Sequence, residues 1–198
     1  MVQVLNLGSV RLRERNEARR TAILHAAARV FRRRGVSAAG MREIAEEAGL
    51  SPGNLYHYFS GKDEIVLFCQ EKTLERMLAS VLQARGPAAD RLRMVLRAHV
   101  HCMLDELEGA TAHLDVESLP PKLRAPMIDK RDAYERAVRA IVAAGMRNRE
   151  FARCDASLVT RAMLGAVNWA ARWYRPDGPQ STDEIADALS EYLVKGLA

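Results

Sequence analysis

The amino-acid sequence predicts an all-α fold, and three observations support this prediction. Apolar residues recur at intervals of three and four, which is the spacing of one face of a helix. Good helix formers are abundant, while aromatic residues make up only 6% of the chain. No stretch alternates apolar and polar residues with β-branched enrichment, so no strand is predicted. With 48% apolar residues among 198, the chain can bury a core.

The first third of the chain is predicted to hold three helices, which follow a loose basic segment at residues 1–13. The predicted spans of these helices are 14–34, 41–48 and 52–59. Gly35 ends the first span, because glycine readily adopts the backbone conformations that close a helix. Ser51 caps the third span and Pro52 follows at its first position, a pair that favours helix entry.

The rest of the chain is predicted to hold five further helices. Their spans are about 61–84, 88–109, 122–150, 155–174 and 182–193, with an irregular stretch at 110–121. Ser60 with Asp63, and Ser181 with Glu184, are predicted to form capping boxes at the starts of the first and the last of these helices. The predicted domains are residues 14–62 and residues 63–198.

Positive charge is concentrated in the first domain. The net charge is +5, yet residues 1–62 hold eleven Lys/Arg against five Asp/Glu, and residues 63–198 hold nineteen against twenty. A one-ended excess suits a polyanionic partner, with nucleic acid as the first candidate and a membrane surface as the second. An arginine-rich solvated tail would give the same balance, so charge alone leaves that alternative open.

Two short helices joined by a tight glycine turn, after a basic helix, are the pattern of a helix-turn-helix. The second helix of this motif must enter the major groove of DNA and present polar side chains from its N-terminal end. Leu55 and Phe59 are four residues apart and are expected to anchor this helix to the core. The polar residues around them are then left to face DNA.

The candidate DNA contacts lie on and around this second short helix. They are Arg42, Ser51, Gly53, Asn54, Tyr56, His57 and Lys62. Gly53 allows close approach of the backbone, and Tyr56 offers a hydroxyl on a rigid arm. Lys62 lies in the first turn of the next helix, where it is placed to hold a phosphate. For His57 and Tyr58 the sequence leaves open which one supports the helix from behind.

The segment from Met41 to Ile65 resembles the DNA-binding signature of TetR/AcrR-type repressors, and residues 22–35 are similar to the first helix of that family. The resemblance covers about residues 17–66 and agrees at many fixed positions. It implies an all-α dimer, a palindromic operator and a ligand-binding C-terminal domain. One departure is Gly40, which stands where the family often has a phosphate-contacting threonine. Operator affinity is therefore expected to depend more on the arginine-rich first helix.

The helix predicted over 155–174 is apolar around nearly its whole circumference, which requires burial on more than one side. One side can face its own domain and another can face a partner subunit. The last helix carries an apolar stripe of its own. We therefore expect a homodimer through the last two helices, which brings two reading helices to two half-sites of double-stranded operator DNA.

A small-molecule effector is expected in the C-terminal domain. The candidate ligand contacts are Met103, Tyr134, Asn168, Trp169, Arg172 and Trp173. Asn168 and Arg172, four residues apart and beside two tryptophans, are typical of an orienting pair in an apolar pocket. The favoured alternative is that Arg172 pairs with a carboxylate. The segment from Trp173 to Pro179 resembles TetR-type regulators of lipid and sterol breakdown, which implies an acyl-CoA or another hydrophobic metabolite as effector.

The sequence lacks the signature motifs of several other classes of protein. The chain has no glycine-rich phosphate loop, no G-x-S-x-G elbow and no H-E-x-x-H motif, so we expect no enzyme, no catalytic residue and no cofactor. Its three cysteines form no CxxC pair, and its histidines and acids follow no zinc-ligand spacing, so no metal site is expected. No signal peptide and no membrane-spanning apolar run is present, which predicts a cytoplasmic protein without a membrane partner.

Overall fold

Helices make up nearly all of the chain that the computed structural model describes, which is residues 2–104 and 119–198 without the side chains of residues 2–9 and 13. They are α1 (Val2–Ala38), α2 (Met41–Glu47), α3 (Pro52–Tyr56), α4 (Lys62–Gln83), α5 (Ala88–Leu104), α6 (Pro121–Arg147), α7 (Ala156–Trp173) and α8 (Thr182–Lys195). No strand occurs within the described ranges, and the predicted all-α fold is confirmed. None of these helices is long and apolar enough to cross a membrane.

Helix α1 begins at Val2, so the prediction of a loose segment before residue 14 is wrong. Of the described side chains in this part of α1, Val10 and Leu12 are 44% and 69% exposed. The segment contains no proline and several good helix formers, which favour a helix. At Gly35 the backbone reaches a φ of 73°, and the helix kinks before its last turn.

Two of the three predicted serine caps form as expected. Ser51 accepts a hydrogen bond from the backbone N–H of Asn54, and Ser181 forms a complete capping box with Glu184. The box predicted at Ser60 with Asp63 is wrong, because α4 begins one residue later with Gly61 as its N-cap. Ser60 instead donates its N–H and its hydroxyl to Oε2 of Glu64, at 2.8 and 2.9 Å.

The remaining helix boundaries differ from the predicted spans by a few residues. Helix α3 ends at Tyr56 rather than near residue 59, because the next residues turn back with hydrogen bonds such as the one from the N–H of Tyr58 to the carbonyl of Leu55. Helix α5 is described to Leu104. The end of its predicted span and most of the predicted irregular stretch fall at residues 105–118, which lie outside the described residues.

A continuous apolar core joins the two halves of the chain. In the N-terminal half, helices α1 to α3 pack around fully buried side chains such as Ile23, Phe31 and Ile44. Helix α4 contacts α1 on one side and α5 and α6 on the other, so it belongs to both packing groups. In the C-terminal half, α5 lies centrally and contacts α4, α6, α7 and α8. Displacement of α4 therefore disturbs both halves.

Ion pairs fasten α5 to α8 along their exposed edge. Nε of Arg93 lies 2.6 Å from Oε2 of Glu191. Arg97 pairs with both Asp183 and Asp187, which lie one helical turn apart on α8. Partly exposed pairs of this kind each contribute little to stability, but three of them in one row fix the register of the two helices.

Candidate functional site

Helices α2 and α3 form a helix-turn-helix whose turn is closed by backbone groups. Ile44 and Ala45 are fully buried and hold α2 against its neighbouring helices, α1 and α3. Gly49 has a φ of 63°, in the left-handed region that glycine adopts without strain. The N–H of Leu50 donates to the carbonyl of Ala45 at 2.8 Å, so the chain turns back directly after α2. Helix α3 is thereby presented at the surface.

Helix α3 separates its anchors from its polar face. Leu55 and Phe59 are 0% and 1% exposed, as the anchoring role requires. The candidate contacts Ser51, Gly53, Asn54, Tyr56 and His57 are exposed. Tyr58 is half-buried and packs against the core, so it is this residue, and not His57, that supports the helix from behind.

The two cationic candidate contacts have different surroundings. The side chain of Arg42, on α2, is exposed. Nζ of Lys62 donates to the backbone carbonyl of Ser37 at 2.9 Å, which ties the start of α4 to the end of α1. An ammonium group has three donors, so Lys62 retains two for a phosphate.

Gly40 is the N-cap residue of α2, and no side chain caps this helix. Its φ of −109° and ψ of 150° are extended values that any residue adopts. A Cβ atom built on Gly40 meets nothing within 4 Å. The missing threonine is therefore a feature of the sequence that the backbone does not impose.

Arginines near the C-terminal end of α1 brace α2. Glu47 receives hydrogen bonds at 2.7 Å from both Arg29 and Arg33, and Arg34 pairs with Glu43 at 3.2 Å. The hydrogen bonds from the two arginines hold the pKa of Glu47 below its usual value. Much of the positive charge counted in this domain is thus matched by the acids of α2.

A cation joins the first domain to α4. The guanidinium carbon of Arg20 lies 4.3 Å from the ring centroid of Phe59 and 4.6 Å from that of Phe68. The same guanidinium contacts Oε1 of Glu64 at 3.1 Å. Arg20 therefore contacts Phe59, which follows α3, by a cation–π contact. It also contacts α4 by a cation–π contact and an ion pair.

A cavity of about 320 Å³ lies between α4, α5, α6 and α7. Its lining residues are Leu74, His99, Ile128, Arg131, Asp132, Tyr134, Glu135, Arg161, Leu164 and Asn168. Three of these side chains are aliphatic and the others carry polar groups, so the cavity is polar on one side. Its volume is at the lower end of the range for small-molecule sites.

A hydrogen-bonded relay of three side chains forms part of the cavity wall. Nε2 of His99 lies 3.0 Å from Oδ1 of Asn168, and Nδ1 lies 3.1 Å from the hydroxyl of Tyr134. Burial lowers the pKa of His99 to about 4, so its ring is neutral. With one proton to place, Nε2–H donates to Asn168 and Nδ1 accepts from Tyr134. The amide NH2 of Asn168 remains available to donate.

The ligand contacts predicted from sequence fall into three places. Tyr134 and Asn168 line the cavity. Met103 is fully buried in the core and is not part of the lining. Trp169, Arg172 and Trp173 are exposed on a different face of α7, where the guanidinium of Arg172 lies 5.9 Å from the Trp169 ring centroid.

The structure adds cavity residues that local pattern did not single out as ligand contacts. His99, Arg131 and Arg161 come from three different helices. Burial lowers the pKa of Arg131, which marks it as a partly desolvated cation. A polar residue on an otherwise apolar helix face was the available signal, and His99 on α5 carries it.

The outer face of α7 is apolar and exposed. Its residues follow one helical stripe and are Leu158, Ala162, Gly165, Ala166, Trp169 and Trp173. Leu158 and Trp169 are 66% and 64% exposed, and Tyr192 on α8 is 76% exposed. Large apolar side chains grouped in this way are typical of protein–protein interaction surfaces.

The cysteines and the possible metal ligands give no further site in the described residues. Cys69 and Cys102 are buried free thiols and Cys154 is exposed. No group of three potential ligands that could hold a metal ion occurs in the described part of the chain.

Two family profiles match consecutive parts of the chain. The profile for "Bacterial regulatory proteins, tetR family" matches residues 23–68, which include the helix-turn-helix. The profile for "Tetracyclin repressor-like, C-terminal domain" matches residues 85–197, which include α5 to α8. The second match alone covers more than half of the chain.

Relatives with known names or structures agree with these profiles. The HTH-type transcriptional repressor KstR2 of Rhodococcus jostii (strain RHA1) is 26% identical over 189 residues, 91% of each chain. The TetR family transcriptional regulator PfmR of Thermus thermophilus superposes with a TM-score of 0.81 at 32% identity, covering 89% of this chain and 98% of that one. The structure of AibR in complex with isovaleryl coenzyme A and operator DNA has a TM-score of 0.77 at 23% identity, with coverage of 89% and 98%.

Proposed function

We propose, from the premise that this chain belongs to the TetR family of bacterial regulatory proteins, that it is a repressor released from its operator by a small molecule. Membership makes the chain a DNA-binding transcriptional regulator and not an enzyme. We further propose that residues 14–62 form the reading domain and residues 63–198 the effector and dimerisation domain. As a regulator of bacterial transcription, it would act in the cytoplasm.

The division of α3 into anchored and exposed residues is the observation that carries this proposal. Leu55 and Phe59 hold the helix from within, while Asn54 and Tyr56 are exposed on its outer side. Such a helix can enter the major groove without exposing apolar surface. Ser51, Gly53 and His57 lie on the same surface. Arg42 and Lys62 flank it, and we assign them to phosphates.

The exposed apolar face of α7 supports dimerisation through α7 and α8. Small residues such as Gly165 and Ala166 permit close helix approach, and Trp169 and Tyr192 supply large apolar area. A two-fold axis through this face brings together two copies of each helix, in a four-helix arrangement. Two reading helices then address a palindrome, since operator symmetry mirrors protein symmetry.

The cavity is our proposed effector site. The aliphatic wall, Leu74, Ile128 and Leu164, suits an apolar group, and the amide of Asn168 can donate to a carbonyl oxygen. An acyl thioester has both features, and AibR is a protein of the same fold in complex with isovaleryl coenzyme A. An effector that binds the non-operator conformation better shifts the protein away from DNA.

The test combines operator mapping with effector titration. Footprinting on the DNA upstream of the gene should reveal a two-fold symmetric protected site. Isovaleryl coenzyme A and longer acyl-CoAs, with free coenzyme A as control, should then raise the melting temperature and release that DNA. Asn168→Leu should weaken the acyl-CoA response at least tenfold while DNA binding is retained. An asymmetric footprint, or activation of the promoter in a reporter strain, would contradict the repressor proposal.

A further inference from the structure

The arginines of α1 fall into two groups with different surroundings. Near the C-terminal end of the helix, Arg29 and Arg33 are held by Glu47 on α2. In the N-terminal part, no carboxylate among the described residues pairs with Arg11, Arg15 or Arg19. The first group already has a structural role, whereas the second presents uncompensated positive charge.

The three unpaired arginines share one face of α1. Arg11, Arg15 and Arg19 are spaced by four residues, so they form a row with steps of about 6 Å along the helix axis. The two acids in this part of the helix, Glu14 and Glu17, line a different groove from Arg15 and Arg19. Glu17 also pairs with Lys72 of α4 at 2.6 Å. The cationic row therefore contains no acidic side chain.

This row borders the end of the reading helix. A groove of about 820 Å³ is lined on one side by Arg15 and Arg19 of α1 and on the other by His57 and Tyr58, which follow α3. The exposed surface of α3 thus continues across this groove onto the arginine row. A duplex bound by α3 would have its flanking backbone near α1.

We propose that Arg11, Arg15 and Arg19 form a second DNA contact surface, which binds the phosphate backbone of double-stranded DNA beside each half-site. This proposal rests on the proposed function, because the position of the duplex beside α1 follows from binding by α3. The surface extends the footprint beyond the base pairs that α3 reads. Its contribution is independent of sequence, because guanidinium groups on phosphates carry no base information. Release of counterions makes its contribution steeply dependent on salt.

The row also compensates for Gly40. Without a side chain at that position, α2 has no hydroxyl to place on a phosphate. Three arginines on an exposed helix face supply backbone affinity from another element. Their long side chains and five donors each suit phosphates whose exact positions vary with sequence.

The test is the salt dependence of binding to a random-sequence 30-bp duplex. The variant R11Q/R15Q/R19Q keeps helix propensity, because glutamine is as good a helix former as arginine. The control R136Q/R147Q/R153Q removes the same charge from exposed positions in the C-terminal domain. The absolute slope of log K against log salt should fall by about 0.9 for each lost phosphate contact, up to about 5 in a dimer, and only in the α1 variant.

The possible outcomes separate this surface from the proposed function. A slope equal to wild type in the α1 variant, or an equal fall in the control, overturns the surface. Loss of binding to anionic phosphatidylserine vesicles with an unchanged DNA slope also overturns it, in favour of a membrane. If the slope of the α1 variant is unchanged and the wild-type protein prefers an operator over random DNA, the surface is rejected and the proposed function stays intact. No operator preference, together with the expected fall in slope, leaves the surface intact and rejects the proposed function.

Discussion

The proposed reading domain and the C-terminal domain present their candidate functional residues in opposite ways. The candidate DNA contacts form a nearly contiguous set around α3 and are exposed, with apolar anchors between them. In the cavity, His99, Tyr134 and Asn168 come from three helices and face inward, with separations of 35 and 69 residues along the chain. A surface that reads DNA can thus be specified by one short segment, whereas an internal site requires the complete packed bundle.

The largest expected effect comes from placing charge on the outer face of α7. Ala166→Glu introduces a carboxylate into the proposed dimer interface, while the monomer stays folded because the position is exposed. Loss of the dimer removes bivalent binding, so operator affinity should fall at least about 100-fold. Ala140→Glu, on an exposed position of α6, is the matched control. Light scattering and gel shift measure both effects, and an intact dimer in Ala166→Glu would reject this interface.

The cavity relay predicts a loss of stability in acid. The pKa of His99 is about 4 in the folded chain and about 6.5 when unfolded, so below pH 6.5 the unfolded state binds the extra proton. Stability is full above pH 6.5 and falls towards pH 4. Between pH 7 and pH 5 the histidine should cost about 2 kcal/mol of unfolding free energy. Urea titrations of wild type and His99→Gln measure this, and an identical pH dependence in the two would contradict it.

Removal of a reading side chain should leave the second domain unaffected. Tyr56→Ala deletes a residue that is 55% exposed, so the melting temperature should change little. If Tyr56 contacts DNA, operator affinity should fall by about 1 to 2 kcal/mol, roughly tenfold. Gel-shift titration against operator and random duplex gives the ratio of the two affinities. Unchanged operator affinity would remove Tyr56 from the contact set.

The smallest expected effect is a gain. Gly40→Thr places a hydroxyl at the N-cap of α2, where the backbone is already extended and the space is open. Capping should add about 0.5 kcal/mol to stability, and a new phosphate contact should tighten operator binding several-fold. Gly40→Ala is the control, since it has no hydroxyl. Equal effects of the two substitutions would show that chain stiffness, and not the hydroxyl, is responsible.

The sequence predicted the reading domain more fully than the cavity, and the reason is physical. Caps, turns and anchors are local, so Ser51, Gly49 and Leu55 could be identified from neighbouring residues alone. The relay could not, because nothing in the segment around His99 indicates that Tyr134 and Asn168 lie beside it. Trp169 and Trp173 were expected in the cavity and lie instead on the outer face of α7. An aromatic residue on an apolar helix is equally suited to a pocket and to an outer face, and only packing decides.

The start of α1 shows a third kind of limit. Periodicity detects helices through the apolar stripe that they bury, and Val10 and Leu12 in this part of α1 are exposed. An exposed part of a helix is not detected in this way, although its residues favour helix formation.

The position of Arg20 between Phe59 and Phe68 has a mechanical consequence. Helix α4 has 22 residues, so it is about 33 Å long. It extends from the helix-turn-helix, where it begins, to the cavity, which its Leu74 lines. A tilt of about 5° displaces its far end by about 3 Å, the length of one hydrogen bond. Because one guanidinium contacts the rings of Phe59 and Phe68 at once, we expect the helix-turn-helix to follow this rotation. A movement that is small at the cavity can therefore displace α3 by enough to lose its hydrogen bonds to DNA.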